Sequence, residues 1–368
     1  MRRARSLVLT TALLSCAMAM PVAAQQTTSA QQAGATMQAL PPALRAAVQS
    51  GNGQAVQQAI QTLSGGNVQR QAQLASQVVQ AAEQMLATNP QAAINAAGAA
   101  LESVRTTAVQ TGAPTQTETV ITTASRIFVN PIATQTAPTQ VAGLAGNAVS
   151  AAQSTGNATL SATVASQAVT VAERVVTSNP AAAVQLASTA VQAVQSTAVQ
   201  NAAPTQSMAV ATGAARIVVQ PQAQQASPTL SASVATSVTQ VVSNPTVYQT
   251  APAAAVQAMS NSYSTVTSQV VSAAAPAAAQ TVTQTLNQAS TSTQLSQANA
   301  ANAAQVNAIL GGQAVTQQPQ QSTQASTTTQ QQTTPQQTAQ QPVTEQQNNT
   351  NNTPVVVEQP PVFTASPS

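Results

Sequence analysis

Four charged residues recur at a fixed spacing and are the first candidates for chemistry. Glu83 and Arg126 return ninety residues later as Glu173 and Arg216. A carboxylate and a guanidinium in each copy could face a ligand, or they could pair and tie two helices together. Because one such Glu and one such Arg recur per copy, we favour a structural ion pair. Glu83 and Glu173 could act as acid and base, as in glycoside hydrolysis, only if folding brought them together.

The remaining composition argues against catalysis. The chain has no Lys, Asp, His or Trp, its nine basic residues are all Arg, its six acidic residues are all Glu, and its one Cys is Cys16. Catalytic acids, bases and nucleophiles usually involve His, a tuned carboxylate or a Ser–His–Asp or Cys–His group, and metal sites need clustered His, Cys or carboxylates. We therefore expect no enzyme, with no catalytic, cofactor-binding or metal-binding residues and no small-molecule substrate.

Charge also argues against nucleic-acid binding. The formal net charge of +3 includes Arg2, Arg3 and Arg5, which belong to a segment typical of export signals. Removing these three of the nine Arg leaves six, equal to the six Glu. No basic patch then remains to neutralise phosphates. With two Tyr, two Phe and no Trp, the chain also lacks aromatic side chains on which bases could stack.

Residues 1–24 have the three parts of a secretory signal peptide. A basic start, MRRAR, precedes the apolar run SLVLTTALLSCAMAM, and the small residues VAA follow. This pattern predicts cleavage between Ala24 and Gln25. The letters LLSC also resemble a lipobox, so lipidation of Cys16 is the alternative, and only that modification would hold the protein at a membrane. Both interpretations predict an exported protein that is periplasmic, in the outer envelope or extracellular.

A ninety-residue repeat organises the rest of the chain. LASQVVQAAEQMLATNP at 74–90 returns as VASQAVTVAERVVTSNP at 164–180. A repeat of this kind indicates that copies of one structural unit are stacked. After the signal peptide we predict a polar leader (25–39), unit 1 (40–130), unit 2 (131–220), a degenerate unit 3 (221–311) and a disordered Gln/Thr/Pro-rich tail (312–368).

Helix signals recur within each unit. Asn89-Pro90 and Asn179-Pro180, with Asn244-Pro245 in the third unit, place a capping Asn before a Pro at the first helical position. Apolar residues then follow at helical spacing: Ile94, Ala97, Leu101, Val104 and Ala108 in the first unit, and Val184, Ala187, Val191, Val194 and Ala198 in the second. We therefore predict an all-α, Ala/Val-rich helical repeat array with about four helices per unit. The run TETVITTASRIFV could instead form a strand, but this spacing and the neighbouring prolines favour a helix.

The pattern resembles that of tetratricopeptide and other helical-hairpin repeats, because small apolar residues precede an Asn-Pro turn and a second Ala-rich helix. The resemblance implies helical hairpins laid side by side. The ninety-residue unit and the missing large aromatic packing residues depart from that family, so no function or site residue is carried over.

The apolar residues at helical spacing are small, which limits what each helix can contribute to stability. Ala and Val bury little apolar area, so single helices are marginal and stacking between neighbours must stabilise them. Outer faces rich in Gln, Ser and Thr form a neutral, hydrogen-bonding surface. We expect a non-enzymatic exported scaffold or adhesive-matrix protein of the bacterial envelope or exterior, which self-associates or binds a protein partner. The alternative is a periplasmic protein-binding or chaperone-like module with a concave binding face.

Overall fold

A computed structural model describes residues 37–313. Every regular element in that range is a helix and none is a strand, which confirms the prediction of an all-α fold. The strand alternative for TETVITTASRIFV is therefore wrong, since this run lies in a helix. The predicted signal peptide, with Cys16, Ala24 and Gln25, lies outside the described residues, as do the first part of the leader and the tail after residue 313.

The helices follow one another with few intervening residues. In chain order they are α1 (Pro42–Gln49), α2 (Gly53–Ser64), α3 (Val68–Met85), α4 (Pro90–Ser103), α5 (Thr107–Gly112), α6 (Pro114–Val129), α7 (Pro131–Thr136), α8 (Pro138–Ser154), α9 (Ala158–Val175), α10 (Pro180–Val194), α11 (Thr197–Ala202), α12 (Pro204–Val218), α13 (Pro221–Ala226), α14 (Pro228–Val242), α15 (Pro245–Tyr248), α16 (Pro252–Thr267), α17 (Gln269–Ala274), α18 (Pro276–Thr291), α19 (Thr293–Ala298) and α20 (Asn302–Leu310). Seven of these, α5, α7, α11, α13, α15, α17 and α19, have only four to six residues.

The long helices are arranged in two rows. From α2 onward, each long helix contacts the next long helix, which lies in the other row, and the one after that, which lies in its own row. We call α3, α6, α9, α12, α16 and α20 the first row, and α2, α4, α8, α10, α14 and α18 the second row. Because helices contact near neighbours in sequence, stability in such an array is close to a sum of local contacts.

Helix positions repeat at two spacings. Helices α3 to α8 return as α9 to α14 with every start shifted by ninety residues. Each of these two sets contains four long helices and two six-residue helices, and the short ones were not predicted. A finer spacing of 24 residues separates the prolines that begin long helices, first at Pro90, Pro114 and Pro138 and again at Pro180, Pro204, Pro228, Pro252 and Pro276. Within residues 221–311 the long helices α14, α16 and α18 keep this step, and the last described helix, α20, begins 26 residues after Pro276, at Asn302.

The Asn-Pro signals mark helix starts as predicted. Asn89 accepts a hydrogen bond from the Ala92 amide at 3.1 Å, and Pro90 is the first residue of α4. Asn179 caps α10 in the same way, through the Ala182 amide at 3.1 Å. The cap satisfies one of the amides that a helix start leaves unpaired, and Pro has no amide hydrogen to lose.

The predicted apolar stripes are buried except at their ends. Ile94, Leu101 and Val104 are at most 3% exposed, but Ala108 and its counterpart Ala198 are exposed. Including these two alanines was wrong because the long helices end first, at Ser103 and Val194, and the short helices α5 and α11 then start in a new direction.

Short helices also supply donors to the ends of long ones. Gln224 on α13 donates from Nε2 to the carbonyls of Val218 and Val219 at 3.2 and 3.1 Å, where α12 ends. Gln200 on α11 donates to the carbonyl of Gln195, just after α10, at 3.1 Å. The last carbonyls of a helix have no partner within it, so these buried amides stabilise the turn into each short helix.

Candidate functional site

The recurring charges form two ion pairs in the first row. Arg126 on α6 donates from Nε to Oε1 of Glu83 on α3 at 2.7 Å and from Nη2 to Oε2 at 3.0 Å. In the next copy, Arg216 on α12 donates from Nε and Nη2 to Oε1 of Glu173 on α9, at 2.9 and 2.6 Å. The structure thus places all four residues as links between consecutive helices of the first row.

Both pairs lie at the surface. The side chains of Arg126 and Arg216 are 55% and 59% exposed, so each pair contributes no more than about 1 kcal/mol. The hydrogen bond with Glu83 raises the pKa of Arg126, an effect that partial burial opposes and the Glu83 charge reinforces. This guanidinium is therefore charged at any physiological pH and is already occupied by a protein carboxylate.

The structure does not bring the two glutamates of different copies together. Glu83 and Glu173 lie on α3 and α9, and α6 stands between these helices in the first row. Residues 37–313 also contain no group of three or more His, Cys, Asp or Glu that could hold a metal ion. In the same range no helix has both the length and the hydropathy that a membrane span requires.

A groove crosses the second row. One depression of about 600 Å³ extends over α2, α4 and α8, and a second of about 360 Å³ continues it between α8 and α10. Gly143 and Asn147 line both depressions. We call the combined feature the second-row groove, and we define it by Gly98, Gly143 and Gly146 together with Asn95, Gln140 and Asn147.

The three helix-interior glycines of the groove have no backbone or packing requirement. Gly98, Gly143 and Gly146 lie inside helices and have none of the positive φ angles that favour glycine. A Cβ on Gly98 or Gly143 would meet no atom within 4 Å, and one on Gly146 would meet only Cδ1 of Leu186, at 3.9 Å. Each interior glycine costs about 1 kcal/mol relative to Ala. Because these residues have no side chains, the groove stays open beside the helix backbones.

Amide side chains line the groove and link its helices. Asn95 on α4 donates from Nδ2 to the carbonyl of Gly51, before α2, at 2.9 Å. Gln91 on α4 donates to Oε1 of Gln140 on α8. In contrast, the side chain of Asn147 has no hydrogen-bond partner within residues 37–313. Groups of this kind can exchange hydrogen bonds with an incoming peptide group.

The groove carries little net charge. Its one carboxylate, Glu102, accepts a hydrogen bond from Nη1 of Arg105 at 2.8 Å.

Sequence reasoning missed the groove, although one signal was available: isolated glycines inside Ala-rich helical patterns often have a packing or functional reason. The rows that bring Gly98 and Gly143 together on one face are not visible in the sequence.

Fold and site together define an all-α array of two helix rows with a long, neutral, open groove on one row. No family profile matches the chain, and neither a curated protein nor a solved structure shows significant similarity to it. Function is therefore argued from the groove itself.

Proposed function

We propose that this protein is a non-enzymatic, exported helical repeat protein that binds an extended polypeptide along its second-row groove. The observation that supports this most directly is the set of helix-interior glycines, which lower helix stability and keep the groove open. Glycine in such a place lets another backbone approach closely.

The dimensions of the groove suit a peptide better than a small molecule. It extends over four consecutive second-row helices, α2, α4, α8 and α10. Packed helices lie about 10 Å apart, so four of them span about 30 Å. An extended chain advances about 3.3 Å per residue, so about nine residues fit.

The chemistry of the groove favours an uncharged partner. Asn147 offers a free amide, and the Glu102 carboxylate is paired with Arg105. A charged peptide would lose hydration in the groove without gaining an unpaired counter-charge, which is unfavourable. We therefore expect partners rich in Gln, Thr, Asn and Ser, bound by hydrogen bonds to side-chain amides.

Peptide binding tests this function. Fluorescence anisotropy would compare uncharged Gln/Thr/Asn peptides of about nine residues with acidic and basic peptides of the same length. We expect the uncharged set to bind, and Gly143→Gln to weaken binding by filling the groove. Thr170→Gln, at an exposed position of the first-row helix α9, is the matched control and should bind like the parent. Equal binding by Gly143→Gln and the parent, or no uncharged peptide binding at all, would refute the proposal.

A scaffold or matrix role by self-association is the second candidate, and one feature favours it. No charged residue occurs between Arg216 and Glu345, so residues 217–313 form a neutral surface without the charge repulsion that keeps proteins apart. Sedimentation velocity over a range of concentrations should show association that Gln280→Glu plus Gln284→Glu reduces, since both positions are exposed. Thr170→Glu should leave it unchanged. A monomer at all concentrations would rule this candidate out.

Export is proposed from residues 1–24. Mass spectrometry of the mature protein should find an N-terminus at Gln25. A lipid-modified Cys16 at the N-terminus would instead mean a membrane-tethered protein, and an intact Met1 would contradict export.

A further inference from the structure

A single Asn-Gly pair lies at the start of α2. Asn52 and Gly53 are the only such pair in the sequence. Asn52 is exposed, and its Oδ1 accepts a hydrogen bond from the Ala55 amide at 3.2 Å, which leaves Nδ2 without a partner within the described residues. Gly53 is the first residue of α2, so its amide belongs to the first turn, which has no acceptor inside the helix.

We propose that Asn52 is a site of spontaneous deamidation. The Gly53 backbone nitrogen attacks Cγ of Asn52 and a new N–C bond forms. The bond from Cγ to Nδ2 breaks, and ammonia leaves with the proton given up by the Gly53 nitrogen. One water molecule then opens the five-membered imide at either carbonyl, which yields an aspartyl or an isoaspartyl linkage. Water is the only co-reactant, and no redox change occurs.

The local structure favours this reaction. Gly53 has no side chain to obstruct the attack on Asn52. Negative charge that develops on the Gly53 nitrogen lies at the positive end of the α2 dipole, where it is stabilised. Helix ends also fray, which gives the first turn access to the geometry of attack.

Packing explains why the reactive glycine is present. A Cβ on Gly53 would lie 3.2 Å from the carbonyl oxygen of Asn95 on α4, which is tighter than ordinary contact. The close approach of α2 and α4 therefore favours glycine at this position, and the same glycine makes Asn52 labile.

The chain contains two internal controls. Asn67 and Asn157 cap α3 and α9 with nearly the same backbone angles as Asn52. The φ and ψ angles are −79° and 113° at Asn67, −79° and 100° at Asn157, and −88° and 101° at Asn52. In all three the side chain accepts a hydrogen bond from the amide three residues on. The residue that follows the asparagine differs: Val68 follows Asn67, Ala158 follows Asn157, and Gly53 follows Asn52. In addition, Nδ2 of Asn157 donates to Oε1 of Glu118 at 2.9 Å.

Deamidation would alter the second-row groove, which Asn52 lines. An aspartate keeps the capping acceptor and adds a negative charge to a neutral groove, whereas an isoaspartate lengthens the backbone and removes the cap. The effect on binding rests on the proposed function, but the chemical step does not.

Tryptic peptide mapping tests the proposal. The full chain would be incubated at mildly alkaline pH and digested, and cleavage at Arg45 and Arg70 places Asn52 and Asn67 in one peptide. We expect Asn52 to convert several-fold faster than Asn67 or Asn157, with both aspartyl and isoaspartyl products.

Two variants make the test decisive. Ala158→Gly should make Asn157 deamidate several-fold faster than in the parent, and Asn52→Ser should abolish conversion at the first site while keeping a capping side chain. Conversion at Asn52 no faster than at Asn157, or an unchanged rate at Asn157 in Ala158→Gly, would overturn the proposal. Neither outcome depends on whether a peptide binds in the groove.

Discussion

The hydroxyl of Tyr248 donates a hydrogen bond of 2.9 Å to Oδ1 of Asn302, a residue 54 positions further along the chain. Asn299 donates from Nδ2 to the same hydroxyl at 3.1 Å, and Asn302 donates from its own Nδ2 to the carbonyl of Ala289 at 2.8 Å. Tyr248 and Asn302 are fully buried. This polar network joins α15 and α18 to α20, the last described helix of the first row.

Removing the Tyr248 hydroxyl should destabilise this end of the array. Tyr248→Phe leaves Oδ1 of Asn302 buried without a donor, which costs about 1–3 kcal/mol. Tyr263→Phe is the control, because its hydroxyl makes one long contact of 3.4 Å to the carbonyl of Leu310 and is only partly buried. Urea unfolding followed by circular dichroism should separate the two variants. Equal losses of unfolding free energy in the two variants would contradict a stabilising role for this buried network.

Alkaline pH should weaken the fold through the same residue. Burial raises the pKa of Tyr248 above its ordinary value, an effect that the hydrogen bond from Asn299 opposes in part. A raised folded-state pKa gives stability that is complete below the unfolded tyrosine pKa of about 10 and is lost as pH rises through the folded value. The free energy of unfolding should therefore fall above about pH 10 in the parent and in Tyr263→Phe. The same decline in Tyr248→Phe would contradict this assignment.

Two glycine-to-alanine substitutions should have opposite signs. Gly98→Ala adds a Cβ that meets nothing within 4 Å, so it should stabilise α4 by about 0.5–1 kcal/mol. Gly213→Ala on α12 would make a Cβ overlap with Cγ1 of the buried Val169 on α9, and such overpacking costs about 1–3 kcal/mol. Thermal unfolding of both variants measures the difference. Stabilisation by Gly213→Ala would contradict the close packing of α12 against α9 at this position.

The two surface ion pairs should be weak and equivalent. A double-mutant cycle with Glu83→Gln and Arg126→Gln should give a coupling of about 0.5–1 kcal/mol, and Glu173 with Arg216 should give the same. Both couplings should decrease at high salt, because exposed charges are screened. A coupling above about 2 kcal/mol, or a coupling in only one copy, would contradict equivalent surface links.

The sequence predicted the features that depend on local signals. Asn89-Pro90 and Asn179-Pro180 begin helices because capping and the fixed φ of proline act within one turn. The six-residue helices were not predicted because fewer than two turns cannot show an apolar stripe. For the same reason Ala108, which lies on the short helix α5, was wrongly assigned to the apolar face of the preceding long helix. The two rows and the groove depend on contacts between distant segments, so the significance of Gly98 and Gly143 became clear only in the folded chain.

Hydrogen exchange of the full chain, with and without a saturating uncharged Gln/Thr/Asn peptide, tests the central claim most directly. The account predicts that the peptide slows exchange in the second-row helices α4 and α8, which carry the groove glycines, and leaves α3, α6 and α9 unchanged. Slower exchange confined to the first row, or no change in any helix, would contradict binding along the second-row groove.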